Sequence, residues 1–149
     1  MALVVRIVYD DILVPTDGSP EAEAAVEHAV DIAATYGARI HALYVVDTSA
    51  YATLDATETV VEDLEDEGEV AVEYVTAAAE DAGVEAQGSV TTGNVHESIT
   101  AYARANDIDL IVMGTHGRRG LDRVLVGSVT ERVVRTADAP VLTVRSGAD

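Results

Sequence analysis

Residues 11–20 read DILVPTDGSP, and this decapeptide decides the fold. An apolar run as short as Asp11 to Pro15, closed by turn residues, reads as a strand buried on both faces. TDGSP is turn chemistry, and it leads directly into a helix start: Ser19 is an N-cap and Pro20 fits the first helical position, where a missing N–H costs nothing. Ala22, Val26, Ala29, Val30 and Ala33 then recur at helical spacing until Gly37 stops the run.

The same alternation continues along the chain. RIHALYVVD (39–47) is a second strand. A helical period from about Leu54 to Ala82 turns Val60, Val61, Leu64, Val72, Val75 and Ala79 inward, with Gly83 as its stop and Gly68 as a candidate break. GVEAQGSVTTG supplies a third strand near Val84 to Thr91. Asn94 and Glu97 form a capping box for a helix through Ala105 that carries Val95, Ile99 and Tyr102. DLIVMG (109–114) is the apolar strand expected at the centre of a parallel sheet. Ser128 and Glu131 form a second capping box, opening a helix to about Thr136, and APVLTVR (139–145) is the last strand. Strands alternating with helices in this way predict an α/β fold, a single doubly wound five-stranded parallel sheet sandwiched by four helices. The length of 149 residues fits one domain, 1–149.

Composition bounds the function. Hydrophobic residues make up 48% of the chain, and its only aromatics are six tyrosines, so the core is built from small aliphatics. Against 27 Asp and Glu stand nine basic residues, all arginine, for a net charge of -18. A carboxylate-rich surface without lysine stays hydrated in abundant salt, and salt screens its self-repulsion; the expectation is a halophilic protein in a salt-loaded cytoplasm. So acidic a chain lacks the basic footprint that nucleic-acid binding requires. With no cysteine, disulfides, thiolate metal sites and cysteine nucleophiles are excluded. The first fifteen residues are apolar but interrupted by Arg6, Asp10 and Asp11, and no small-residue cleavage site follows, so neither a signal peptide nor a membrane segment is predicted.

Basic charge concentrates in one place. Between Gly114 and Thr136 lie five arginines (118, 119, 123, 132, 135) and two acids, whereas residues 55–85 hold twelve acids and no base. Glycines at 114, 117, 120 and 127 share this basic stretch. Clustered glycines before a helix can aim several N–H groups at one anion, and the helix start at Gly127 and Ser128 adds the positive end of its dipole. The competing readings are a plain long loop for the glycines, a plain helix cap for Ser128, carboxylate partners for the arginines and a turn cap for Asp17. In doubly wound sheets ligands sit at the carboxyl ends of the strands, where strand order reverses, and both Thr16-Asp17-Gly18 and the glycine-rich stretch leave such ends. The four histidines (28, 41, 96, 116) show no ligand spacing and read as ordinary surface or satisfied side chains. His116 lies inside the glycine-rich turn, but the sequence pairs it with no acid or nucleophile.

Glycine, two residues, glycine, nine residues, glycine-serine (Gly114, Gly117, Gly127, Ser128) resembles the ATP-binding signature of the universal stress protein family. ILVPTDGS, ALYVVD, DLIVMGTHGRRG and ADAPVLTVR fall in that family's order over nearly the whole chain, and only the acidic segment around residues 50–75 carries no family signal. The resemblance implies a Rossmann-like fold akin to the adenine nucleotide alpha hydrolases, in the ATP-binding subgroup. It implies that Pro15, Thr16 and Asp17 flank ribose and adenine, with Val45 against the base. Met113 and Gly114 would border the nucleotide, and Gly117, Arg118, Gly127, Ser128, Val129 and Thr130 would hold the phosphates. It further implies a homodimer through the last strand (Val141, Leu142, Thr143, Val144).

The function so implied is a nucleotide-binding stress-response or signalling module in which ATP, with or without Mg²⁺, tunes conformation or dimer state. No general base or activated nucleophile is evident beside the phosphates, which favours binding over catalysis, with slow hydrolysis left open. Two alternatives stand beside it: an ATP-hydrolysing enzyme of the adenine nucleotide hydrolase type, and a dimeric scaffold binding AMP or no nucleotide. The first is disfavoured because PTDGS replaces the SGG-type loop of those enzymes.

Overall fold

The computed structural model describes residues 8–48, 58–116 and 127–145. Five strands and four helices alternate: β1 (Asp11–Pro15), α1 (Pro20–Tyr36), β2 (Arg39–Asp47), α2 (Glu58–Asp81), β3 (Ala86–Gly93), α3 (Val95–Ala105), β4 (Leu110–Gly114), α4 (Ser128–Thr136) and β5 (Val141–Val144). They form one sheet, in the order β3-β2-β1-β4-β5, with every pair parallel. This is the doubly wound α/β architecture that the alternation predicts.

Side-chain alternation along the strands sorts the core into two faces. Ile12 and Val14 of β1, Ala42 of β2 and Val112 of β4 pack with Ala25, Val26 and Ala29 of α1 and Val72 and Val75 of α2. Leu13, Leu43, Ile111 and Met113 point the other way, onto Ile99 and Ala103 of α3 and Val133 of α4. The three central side chains of β1 are wholly buried, each contributing about 1.5–3 kcal/mol relative to exposure.

The helix ends of α1 follow the sequence signals. The Ser19 hydroxyl accepts from the Ala22 N–H at 3.2 Å, Pro20 opens the helix, and Gly37 closes it at φ 71° in the left-handed region. Asn94 caps α3 by accepting from the Glu97 N–H.

Several expectations need correcting. Gly68 does not break α2, which runs on through it; a Cβ there would lie 2.6 Å from the Tyr44 ring, so the glycine lets α2 sit close on β2. Val60 is 38% exposed and faces outward, unlike Val72, Val75 and Ala79. β3 begins later than expected, because Val84 is still tied to α2 by its N–H bond to the Ala79 carbonyl. The expected start of α2 at Leu54 lies outside the described residues. No helix among the described residues is long and apolar enough to cross a membrane.

Candidate functional site

Strand order reverses between β1 and β4. The chain steps outward from β1 to β2 and β3, then returns to lay β4 on the other side of β1. The connections that leave the carboxyl ends of β1 and β4 therefore part to opposite sides of the sheet, opening a crevice between them. A cleft of about 470 Å³ occupies that crevice, within the size range of small-molecule sites.

The first lip is built by the turn after β1. The Thr16 N–H donates to the Leu43 carbonyl at 2.9 Å, holding the strand exit against β2. The Gly18 N–H donates to the Thr16 hydroxyl and the Ser19 N–H to the Asp17 carboxylate, so both side chains fold the turn locally. Gly18 takes φ 78°, which a side chain would disfavour.

The second lip joins β4 to α4. The Gly127 N–H donates to the Thr115 carbonyl at 2.7 Å, and the buried Thr130 hydroxyl donates to the Gly114 carbonyl at 2.8 Å. These bonds draw the start of α4 onto the end of β4, although thirteen residues, 115–127, separate the two elements in sequence. Here the expected capping box is overturned. Gly127 is the N-cap and makes no side-chain cap bond, while Ser128 is already helical. Glu131 reaches forward to Arg135 at 2.7 Å instead of back to the cap. The first N–H groups of α4 thus lack a side-chain acceptor at the N-cap, at the end of the helix dipole that favours anions.

The two lips are held together by Glu21. Its carboxylate accepts from the Thr115 hydroxyl and from the His116 N–H, each at 2.8 Å, and lies 3.5 Å from His116 Nδ1. Burial works against its charged form, but the hydrogen bonds from Thr115 and His116 and the nearby imidazole outweigh it, leaving its carboxyl below the usual value. The partner that the sequence could not find for His116 is therefore this acid on α1. Gly114 permits the approach: a Cβ there would lie 3.0 Å from the Glu21 backbone.

Of the residues singled out from the sequence, Pro15, Thr16, Asp17, Val45, Met113, Gly114, Gly127, Ser128, Val129 and Thr130 all line this one cleft. Gly117 and Arg118 lie outside the described residues. The sequence reading missed Tyr44 and Asp47 of β2 and Leu64 and Glu67 of α2, which also line it, and gave no role to His116, noted in the glycine-rich turn and likewise on the cleft wall. Tyr44 and Asp47 flank Val45 closely enough to have been found from the strand, but nothing local marks Leu64 or Glu67. Among the described residues no group of three or more His, Asp or Glu side chains could hold a metal ion.

The sequence model of the Universal stress protein family matches residues 9–145. The chain belongs to the universal stress protein family. Universal stress protein MJ0531 of Methanocaldococcus jannaschii is 41% identical over 140 residues, covering 92% of this chain and 82% of the relative. The structure of a second protein of that organism, MJ0577, superposes with a TM-score of 0.85 at 30% identity, covering 96% of this chain and all of the other. Two more distant structures share the universal stress protein fold. One, in complex with cAMP, has a TM-score of 0.75 at 24% identity, covering 94% of this chain and 99% of its own. The other, from Arabidopsis thaliana with AMP bound, has a TM-score of 0.70 at 19% identity and covers 94% of both chains.

Proposed function

We propose that this universal stress protein binds ATP in the cleft between β1 and β4 and serves as a stress-response or signalling module. The observation that carries the reading is Gly127. It sits at φ -62°, a conformation open to any residue, so backbone strain does not call for glycine there. A glycine at an unstrained helix start, on the wall of a cleft, is suited to close approach of a ligand phosphate to the main chain. Pro15, Thr16 and Asp17 on the opposite lip, with Val45, would hold ribose and base, and Asp17 would face any Mg²⁺ that accompanies the phosphates. Gly117 and Arg118 would complete the phosphate contacts. The family members that carry cAMP and AMP show that the fold accommodates adenine nucleotides in those proteins.

The reading includes a homodimer through β5 in a salt-rich cytoplasm, with nucleotide occupancy tuning conformation or dimer state. β5 is an edge strand with Leu142 at its surface, and Val134 of the preceding helix α4 is also exposed; an open edge with apolar surface favours cover by a second copy. The absence of lysine and the charge of -18 support the salt-rich setting.

Calorimetric titration with ATP, ADP and AMP in molar KCl tests the reading. Saturable ATP binding by the native chain and its loss in Gly127→Val, with the thermal unfolding of the variant unchanged, is the expected result. Normal ATP binding by Gly127→Val would overturn the site, and no binding of any nucleotide by the native chain would overturn the function. Rapid multiple turnover would favour the enzyme reading.

A further inference from the structure

The cleft contains a histidine in an unusual hydrogen-bonding position. The His116 side chain lines the cleft and is nine-tenths buried, yet its Nε2 has no hydrogen-bond partner among the described residues. Its other nitrogen is accounted for. The Thr115 hydroxyl gives its single proton to the Glu21 carboxylate at 2.8 Å, so across the 3.2 Å contact between Thr115 Oγ1 and His116 Nδ1 the histidine must donate. Nδ1 therefore carries a proton and faces a carboxylate 3.5 Å away, which leaves Nε2 as a buried acceptor with nothing to accept.

Charge around the cleft gives this orphan a use. The other titratable groups around the cleft are Glu21 on α1, which contacts His116, and the lining residues Asp17 after β1, Tyr44 and Asp47 of β2 and Glu67 on α2. On α4, Glu131 is paired with Arg135. Among the described lining residues, His116 is the only side chain that can become a cation. The Gly127 N–H bond to the Thr115 carbonyl sets it one residue from the contact between β4 and the start of α4.

We propose that His116 contacts the ligand's phosphate as an imidazolium, taking up a proton from solvent at Nε2 when a phosphate-bearing nucleotide binds and donating that N–H to a phosphate oxygen. Glu21 and Thr115 act as positioning residues: they fix the Nδ1–H tautomer and place a negative charge on the far side of the ring. The inference rests on the nucleotide reading above. It adds to that reading a discrimination between nucleotides and nucleosides that depends on proton uptake, not on backbone contacts alone.

The test is titration calorimetry of ATP and of adenosine into the full chain near neutral pH, repeated in buffers of different ionisation enthalpy at constant salt. The dependence of the observed heat on the buffer counts protons. Expected is an ATP-linked uptake in the native chain that exceeds that of His116→Gln by up to about one proton, with no such difference for adenosine. Equal proton counts in the two proteins would overturn the proposal while leaving ATP binding intact. Absence of any nucleotide binding by the native chain would overturn both readings together. Should His116→Gln fail to fold, imidazole ¹⁵N spectra of the native chain decide: ATP should bring one of the four histidines to the doubly protonated form, and an unchanged set would refute the inference.

Discussion

The Thr115 hydroxyl donates to the Glu21 carboxylate at 2.8 Å across 94 residues of sequence, tying the exit of β4 to the first turn of α1. Because that bond and the one from the His116 N–H hold the Glu21 carboxyl below its ordinary value, the native state favours the charged form. The stabilisation is fully present above the unfolded value of about 4.3 and is lost as pH falls through the lower folded value. Glu21→Ala should therefore cost roughly 1–3 kcal/mol in urea denaturation at neutral pH, and the gap from the native chain should narrow in acid. A gap that widens toward low pH would contradict the assignment.

Gly114→Ala tests the close approach of the same two elements. The added Cβ would meet the Glu21 backbone at 3.0 Å, and backbone gives way less readily than a side chain. The expected loss is about 1–3 kcal/mol, measured by chemical denaturation, with stronger damage to ligand binding than to helix content.

Gly68→Ala sets helix propensity against packing. In an exposed helix the change would gain about 1 kcal/mol. Here the new methyl would meet the Tyr44 ring at 2.6 Å, and Tyr44 is buried on the cleft wall. The net effect should be a lower Tm, and a higher Tm would show that the Tyr44 ring moves aside freely.

His41 bridges two elements at the opposite end of the sheet from the cleft. Asp11 can only accept, so His41 Nε2–H donates to it at 2.8 Å, and Nδ1 accepts from the Tyr102 hydroxyl at 2.8 Å. Tyr102→Phe should cost roughly 1 kcal/mol, because the Gln87 amide at 3.3 Å can take over the freed acceptor. Asp11→Ala should cost more, since it strands the buried imidazole and also releases Arg39. Urea titrations of the two variants would rank them.

Local chemistry was legible in the sequence wherever one short segment contained the whole cause. Ser19, Pro20 and Gly37 bound α1 by groups within a few residues of each other, and the apolar run of β4 follows from burial on both faces. The ten described residues that the family resemblance singled out line one cleft, though they come from four separate segments of the sequence. What escaped was set by distant partners. Gly68 reads as a break until Tyr44 is seen beneath it, and Glu131 reads as half of a capping box until Arg135 claims it. His116 found its acid on a helix that no spacing rule connects to it. His41, read as a surface or satisfied histidine, is satisfied by groups from β1 and α3 that only the register of the sheet brings together.

The position of β1 between β2 and β4 also bears on how the protein is made. Ile12 pairs with Ile40 on one side and with Leu110 on the other, so during synthesis one edge of β1 can be covered early while the other waits for most of the chain. Until β4 emerges, the open edge exposes the backbone of a strand whose Ile12, Leu13 and Val14 are wholly buried in the native state. Slow long-range pairing of this kind exposes nascent chains to wrong partners. The strand that carries the first lip of the cleft is thus the one in greatest need of protection at the ribosome, and the second lip cannot form until that risk has passed.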